Sequence, residues 1–492
     1  MSTGEILILL ALAVPLFAAA ATYGLNKLPD VRETVTVIAG LALITVCAAL
    51  AMRTGHGTPP QLLVVEPLAG LSLAFRLEPL GAMFALMASV LWAINTLFSI
   101  GYMRGRNEAH QTRFYMCFAI AMFAVMGVAM AANLFTLFIF YEVLTLSTYP
   151  LVTHKGDEVS RKAGRIYLAI LVGASVMLFL PGVIGVHVIA GSTAFVPGGL
   201  LAGKIDPVTA SALLLLIVFG VAKAALIPVH AWLPKAMVAP TPVSAMLHAV
   251  AVVNAGVFTL LKTSSYIFGP NVMSEAPATQ WLLWLAAATI VMASLVAMTR
   301  DELKARLAWS TIGQLAYVTA GALMAAGAGL VGGGLHMLTH GFGKITLFMC
   351  AGAIYVATGV TRVSEMRGLG RRMPVVFVAF LIGALSVTGM PPFAGMWSKF
   401  LLITAAFGSG RDVIAWAMIA STILTTLYLI PIAVRGLLPP VGDARPPEFT
   451  RPGGAPGLTV APLVMTAAGT VLLFFLIDEV AAFLIPIAGA AQ

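Results

Sequence analysis

The sequence predicts an all-α polytopic membrane protein of about fourteen transmembrane helices, with two inverted five-helix repeats and breaks in helices 7 and 12. Three observations carry this. Of 492 residues, 60% belong to the hydrophobic set and only 10% are charged, against about 25% charged in a soluble domain. That is too little charge to cover a water-facing surface of this size, which points to lipid as the solvent. Apolar runs long enough to span a bilayer recur from one end to the other, and prolines and glycines interrupt two of them beside a lysine.

The runs fall near 4–24, 33–52, 79–100, 114–130, 133–152, 164–190, 208–229, 240–262, 280–298, 307–327, 332–357, 373–407, 413–435 and 457–487. The first has Glu5 before its main apolar stretch, lacks a basic leader and is followed by another long run, so it reads as a membrane helix and not a cleaved signal. The stretch 373–407 reads as one broken helix, and 438–456, rich in Pro, Gly and charge, as a loop. The chain is read as a single membrane domain, 1–492. Within it, 1–100 holds helices 1–3, 114–262 and 280–435 the two repeats, and 457–487 the final helix.

The formal net charge is +9, but no basic face exists for nucleic acid. The cations sit in short connections instead. Odd-numbered loops hold Arg104, Arg106 and Arg113, then Lys155, Arg161, Lys162 and Arg165, then Arg300, Lys304 and Arg306, then Arg362, Arg367, Arg371 and Arg372. Even-numbered loops hold fewer: Arg53, Arg76, Lys204, Lys262 and Arg411. The positive-inside rule puts the odd loops in the cytoplasm and both termini on the opposite side of a cell inner (plasma) membrane. Cys47, Cys117 and Cys350 lie singly in apolar runs and read as small packing residues, without disulfide, iron–sulfur or other cofactor chemistry.

An ionisable side chain inside a bilayer is a functional hypothesis by default. Glu142 ends the aromatic run from Asn133 and suits a proton relay; an interfacial Glu is the bland alternative. Lys223 follows seven apolar residues and Phe219, and Pro228 breaks its helix. Lys399 follows Gly389, Pro391, Pro392 and Gly395, the same pattern of a lysine beside a break. For both, snorkelling to the interface is the competing reading. The two lysines lie five runs apart; an odd-numbered repeat must invert. His336, His340 and Lys344 occur at i, i+4 and i+8 of the eleventh run and share one helix face. Histidines pass protons near neutral pH. No acidic or cysteine partner is local, so a metal is disfavoured against a relay or simple packing. His248 is a further link, while His230 belongs at a helix end. Together Glu142, Lys223, His248, His336, His340, Lys344 and Lys399 form a candidate hydrated chain, in which Glu142 holds the charge on Lys223 and separation of the pair sends a proton onward to Lys399.

These motifs resemble the D subunit of Mrp-type sodium/proton antiporters, within the superfamily that includes the antiporter-like subunits of respiratory complex I. The resemblance rests on Phe98 to Met103, Asn133 to Pro150, Lys223 to His230, Pro240 to His248, Asp301 to Leu315, His336 to Lys344 and Gly389 to Lys399. It implies fourteen helices with inverted repeats at runs 4–8 and 9–13, a Glu142/Lys223 pair, a central histidine–lysine relay and a terminal Lys399. It also implies work inside a hetero-oligomer of membrane subunits, with protons and Na+ as the transported ions and no covalent chemistry in this chain. One residue departs: many relatives carry a lysine shortly after the histidine of run 8, and here Asn254 takes that place. The competing readings are a proton-pumping subunit of a respiratory NADH dehydrogenase or hydrogenase complex, a membrane subunit of an inorganic carbon uptake system, and a non-conducting scaffold.

Overall fold

A computed structural model describes residues 1–324, 326–439, 447–450 and 454–489. The helices, in order, are α1 Thr3–Gly24, α2 Pro29–Gly55, α3 Pro79–Arg106, α4 Gln111–Met130, α5 Leu134–Val152, α6 Glu158–Ala174, α7 Leu180–Ala190, α8 Pro207–Gly220, α9 Trp232–Lys235, α10 Thr241–Ala249, α11 Val252–Thr263, α12 Gly269–Glu275, α13 Pro277–Thr299, α14 Leu303–Met324, α15 Gly327–Thr358, α16 Leu369–Arg372, α17 Pro374–Thr388, α18 Gly395–Gly408, α19 Asp412–Leu437, α20 Gly457–Phe475 and α21 Ile477–Gly489. Among the described residues, eleven helical segments are long and apolar enough to cross a membrane, and α8 and α17 are shorter apolar helices. Parts of the 438–456 loop, residues 440–446 and 451–453, lie outside the described residues.

Burial sorts the helices. Residues 241–269 are wholly buried and so are nearly all residues of α15, whereas most residues of α1 and α2 are partly or fully exposed. The centre is therefore α10, α11 and α15, and the first helices lie at the rim. Phe17, Met177, Val188, Trp416 and Phe475 stand exposed on helix surfaces, the apolar exterior that lipid covers.

Four features correct the sequence reading. A hairpin, β1 Gln61–Leu68 and β2 Leu71–Arg76, precedes α3 in an otherwise helical chain. Its two-residue turn uses Gly70 at φ +77°, where a Cβ is disfavoured. The final run is two helices, parting at Leu476 between α20 and α21. The eighth run is interrupted at Val250 and Ala251 and continues past Lys262 to Glu275. Consequently Lys262 is no loop cation but a fully buried residue of α11. Lys304 and Arg306 likewise belong to α14, which begins at Leu303.

Candidate functional site: a buried line of lysines and histidines

Helix α8 stops at Gly220, and the chain turns through Ala222–Ala224 and a left-handed Ala225 (φ +54°) before Pro228. A break frees backbone carbonyls that must find partners. Trp232 Nε1 donates to the Ala222 carbonyl at 2.9 Å. Lys223 sits in the break, fully buried. Its Nζ donates to the Tyr141 carbonyl at 2.8 Å and to Thr145 Oγ1 at 2.6 Å, and lies 3.1 Å from the centroid of the Tyr141 ring. Three features of α5 thus solvate the ammonium.

Glu142 is not its direct ion-pair partner. Among the described residues no ion pair joins Glu142 to Lys223; Glu142 is half-buried, and its Oε1 is enclosed without a hydrogen bond. The reason is helical geometry: Tyr141 and Thr145, four apart, share the face that meets Lys223, and Glu142 is rotated about 100° away from Tyr141.

The second cluster hangs on α15, which runs unbroken for 32 residues. His336 Nδ1 lies 3.0 Å from Ser398 Oγ and Nε2 lies 3.1 Å from Gln314 Oε1. With the Gln314 oxygen as acceptor, the ring proton resides on Nε2 and Nδ1 accepts. Thr339 Oγ1 joins the same Ser398 hydroxyl at 3.0 Å. The His340 ring stacks 6.3 Å from that of His336, and its Nε2 is buried without a hydrogen-bond partner among the described residues. Lys344 donates to Ser310 Oγ at 2.5 Å, and Tyr428 donates to the same oxygen at 2.8 Å. His248 packs 4.8 Å from the Phe348 ring, and neither nitrogen is hydrogen-bonded among the described residues.

Lys399 enters from α18, after the second break. Helix α17 ends at Thr388, and Lys399 Nζ donates to that terminal carbonyl at 3.2 Å and to Thr422 Oγ1 at 3.2 Å. Gly395 is required here, because a Cβ would strike the Ser386 carbonyl. The Tyr317 ring bridges the clusters: it stacks on His336 at 5.3 Å and lies 5.1 Å from Lys399 Nζ, and its hydroxyl is 3.3 Å from Thr422 Oγ1.

The structure therefore brings His336, His340, Lys344 and Lys399 into one buried group. Lys223 has a separate cradle, and His248 lies on the central α10. Asn254 donates from Nδ2 to the Ala249 carbonyl at 2.8 Å, which satisfies the interruption of the eighth run. Sequence reasoning missed Thr145, Ser310, Gln314, Tyr317 and Thr422. The signal for three of them was present, since Ser310, Gln314 and Tyr317 fall at i, i+4 and i+7 of an apolar helix. Around the ends of α6, α9 and α14, a cavity of about 490 Å³ is lined by Lys155, Lys162, Lys235, Glu302 and Lys304 among others.

Residues 131–425 match the family described as "NADH:quinone oxidoreductase/Mrp antiporter, TM". The chain belongs to this family. The matched stretch contains every lysine and histidine of the buried line. The chain is 31% identical to NADH-quinone oxidoreductase subunit N of Desulforudis audaxviator, over 94% of this chain and 95% of that one. It is 30% identical to NADH-quinone oxidoreductase subunit L of Mycobacterium tuberculosis, over 82% of this chain but only 63% of that longer protein. The fold is similar to a chain of the Mrp complex from a Dietzia species, with TM-score 0.86, 23% identity and coverage of 100% and 97%. It is similar too to a chain of respiratory complex I from Thermus thermophilus with bound aureothin, with TM-score 0.76, 23% identity and coverage of 96% and 98%.

Proposed function

We propose that this chain is the proton-translocating, D-type subunit of a multisubunit monovalent cation (Na+)/proton antiporter. The observation that carries the reading is the group His336–Tyr317–Lys399, where an imidazole, a phenol and an ammonium meet inside the bundle. Buried charge of this kind is expensive in a membrane protein and marks ion pathways. Protons move along Lys223, His248, His340, Lys344, His336 and Lys399 as neighbouring charges change, and Glu142 acts on Lys223 through space and not by contact. The likeness to a chain of an Mrp complex supports assembly with other membrane subunits, one of which carries the sodium path. The bundle is read as fourteen spans with inverted repeats at spans 4–8 and 9–13, basic loops in the cytoplasm and both termini outside the plasma membrane.

A second reading, a proton-pumping membrane subunit of a respiratory NADH dehydrogenase, is favoured by the match to subunit N over nearly the full length of both chains. Co-purification separates the two, since small membrane subunits indicate the antiporter and iron–sulfur proteins the redox complex. The reading is tested by Lys223→Ala in the assembled complex. Proton-coupled transport is lost with assembly intact; unchanged coupling overturns the role of the buried line.

A further inference from the structure

Outside the line of Lys223, His336 and Lys399 lies a further enclosed lysine. Lys262 is fully buried, and its Nζ meets Glu78 Oε1 at 2.5 Å and the Ala131 carbonyl at 2.6 Å. The rings of Phe195 and Phe258 lie 4.3 and 5.5 Å from the ammonium. Glu78 is different in kind: its side chain keeps 12% of its surface exposed, and among the described residues this Oε1 has no hydrogen-bond partner besides the ion pair. The pair thus joins an ammonium sealed from solvent to a carboxylate that reaches it. Among the described residues, Arg76, on the exposed end of β2, and Tyr266, on the turn after α11, are the further titratable groups coupled electrostatically to the pair.

The position of the pair matters as much as its burial. Glu78 immediately precedes α3, and Arg104 and Arg106 close it about 42 Å away. The pair therefore sits at the end opposite the basic connections. The wholly buried segment of α10 and α11 leads to it. At the end away from the pair Lys304 Nζ lies 3.5 Å from Ser244 Oγ; His248, Asn254 and Lys262 follow along the same segment. Among the described residues, both ring nitrogens of His248 and the Oδ1 of Asn254 are enclosed without a hydrogen bond.

We propose that Glu78 and Lys262 form the site through which this segment exchanges protons with the face opposite the basic loops. This rests on the proton-translocating reading above and names its outlet. The step is balanced: the N–H bond of the Lys262 ammonium breaks as an O–H bond forms on Glu78, and Glu78 then gives that proton to water. Neutral Lys262 is recharged from the Asn254 and His248 side. A mere clamp between α3 and α11 needs the charge of Lys262 but not its proton.

Three variants in the assembled complex, in membrane vesicles with a pH step on either side, test this. Lys262→Arg keeps the charge and the carboxylate contact but cannot release a proton. The expected result is normal assembly with proton-coupled transport slowed about tenfold or more. Glu78→Gln is expected to abolish the dependence of rate on pH at the face opposite the basic loops, and Glu78→Asp to restore it. Wild-type rate and pH profile in Lys262→Arg overturn the proposal, as does an unmoved profile in Glu78→Gln accompanied only by lower thermal stability. Lys223→Ala run in parallel distinguishes the two levels. If it abolishes transport while the Glu78 and Lys262 variants do not, the outlet is wrong and the translocating role stands; if it leaves coupling intact, that role itself falls.

Discussion

The ammonium of Lys223 rests on the carbonyl of Tyr141, 2.8 Å away, with the ring of the same tyrosine beneath it and the hydroxyl of Thr145 at 2.6 Å. A charge held by a carbonyl, a hydroxyl and a ring is stabilised without a counter-charge in contact. On the proposed function, a change in the charge of Glu142 would tip it without breaking a salt bridge.

Removal of the hydroxyl tests this cradle. Thr145→Val keeps the shape and withdraws one acceptor from a fully buried ammonium, a cost of about 1–3 kcal/mol. The complex is expected to assemble and to transport about tenfold more slowly. Assembled Thr145→Val with the wild-type rate would show that the hydroxyl is dispensable.

Gly256 sets the distance between α11 and the Lys223 turn. A Cβ there would meet the Ala224 amide nitrogen and the backbone of Lys223, and backbone has nowhere to give. Gly256→Ala is expected to lower thermal stability by about 1–3 kcal/mol, through overpacking, and to displace Lys223. A melting temperature and transport rate equal to wild type would mean the two elements part freely.

Asn254→Lys addresses the departure from the family pattern. The Asn254 amide donates to the Ala249 carbonyl at the interruption of the eighth run, and an ammonium can donate to the same oxygen. Assembly and transport are therefore expected to survive. Loss of the assembled complex, measured by co-purification, would show the site to be filled by packing alone.

Acid sensitivity is expected at the Asp301 turn, outside the helices. Ser364 donates from its hydroxyl to Asp301 Oδ2 at 2.7 Å and from its amide to Oδ1 at 3.0 Å, which holds this carboxyl below its ordinary 3.8. A folded value below the unfolded one means the contribution is complete above about 3.8 and fades as pH falls through the lowered value. Thermal melts of the purified protein should thus show a drop below about pH 4 that Asp301→Asn lacks. Parallel acid profiles for both proteins would remove the assignment.

Much of the architecture was readable from apolar length alone. Both breaks were visible because Pro228, Pro391 and Pro392 cannot continue a hydrogen-bonded helix. Lys223, Lys344 and Lys399 stood out because charge in such runs is rare. Lys262 did not, since it stands near the end of an apolar run, where a lysine ordinarily reaches the interface. The approach of Glu78, from 184 positions earlier in the chain, and of Ala131 and Phe195 encloses it. The hairpin at Gln61–Arg76 escaped notice because its apolar residues are too few to register as a span.

By itself the sequence determined the solvent, the helical periodicity and that Lys223, Lys344 and Lys399 stand within apolar runs, because each follows from local composition and the cost of placing charge in lipid. Tertiary structure alone decided what those cations touch. Lys223 meets Tyr141 and not Glu142, Lys344 meets Ser310, and His336 reaches Lys399 by way of Tyr317. Hydrogen bonds are short and directional, so the rotation of one helix against another selects a hydroxyl or a carbonyl over the carboxylate one residue along.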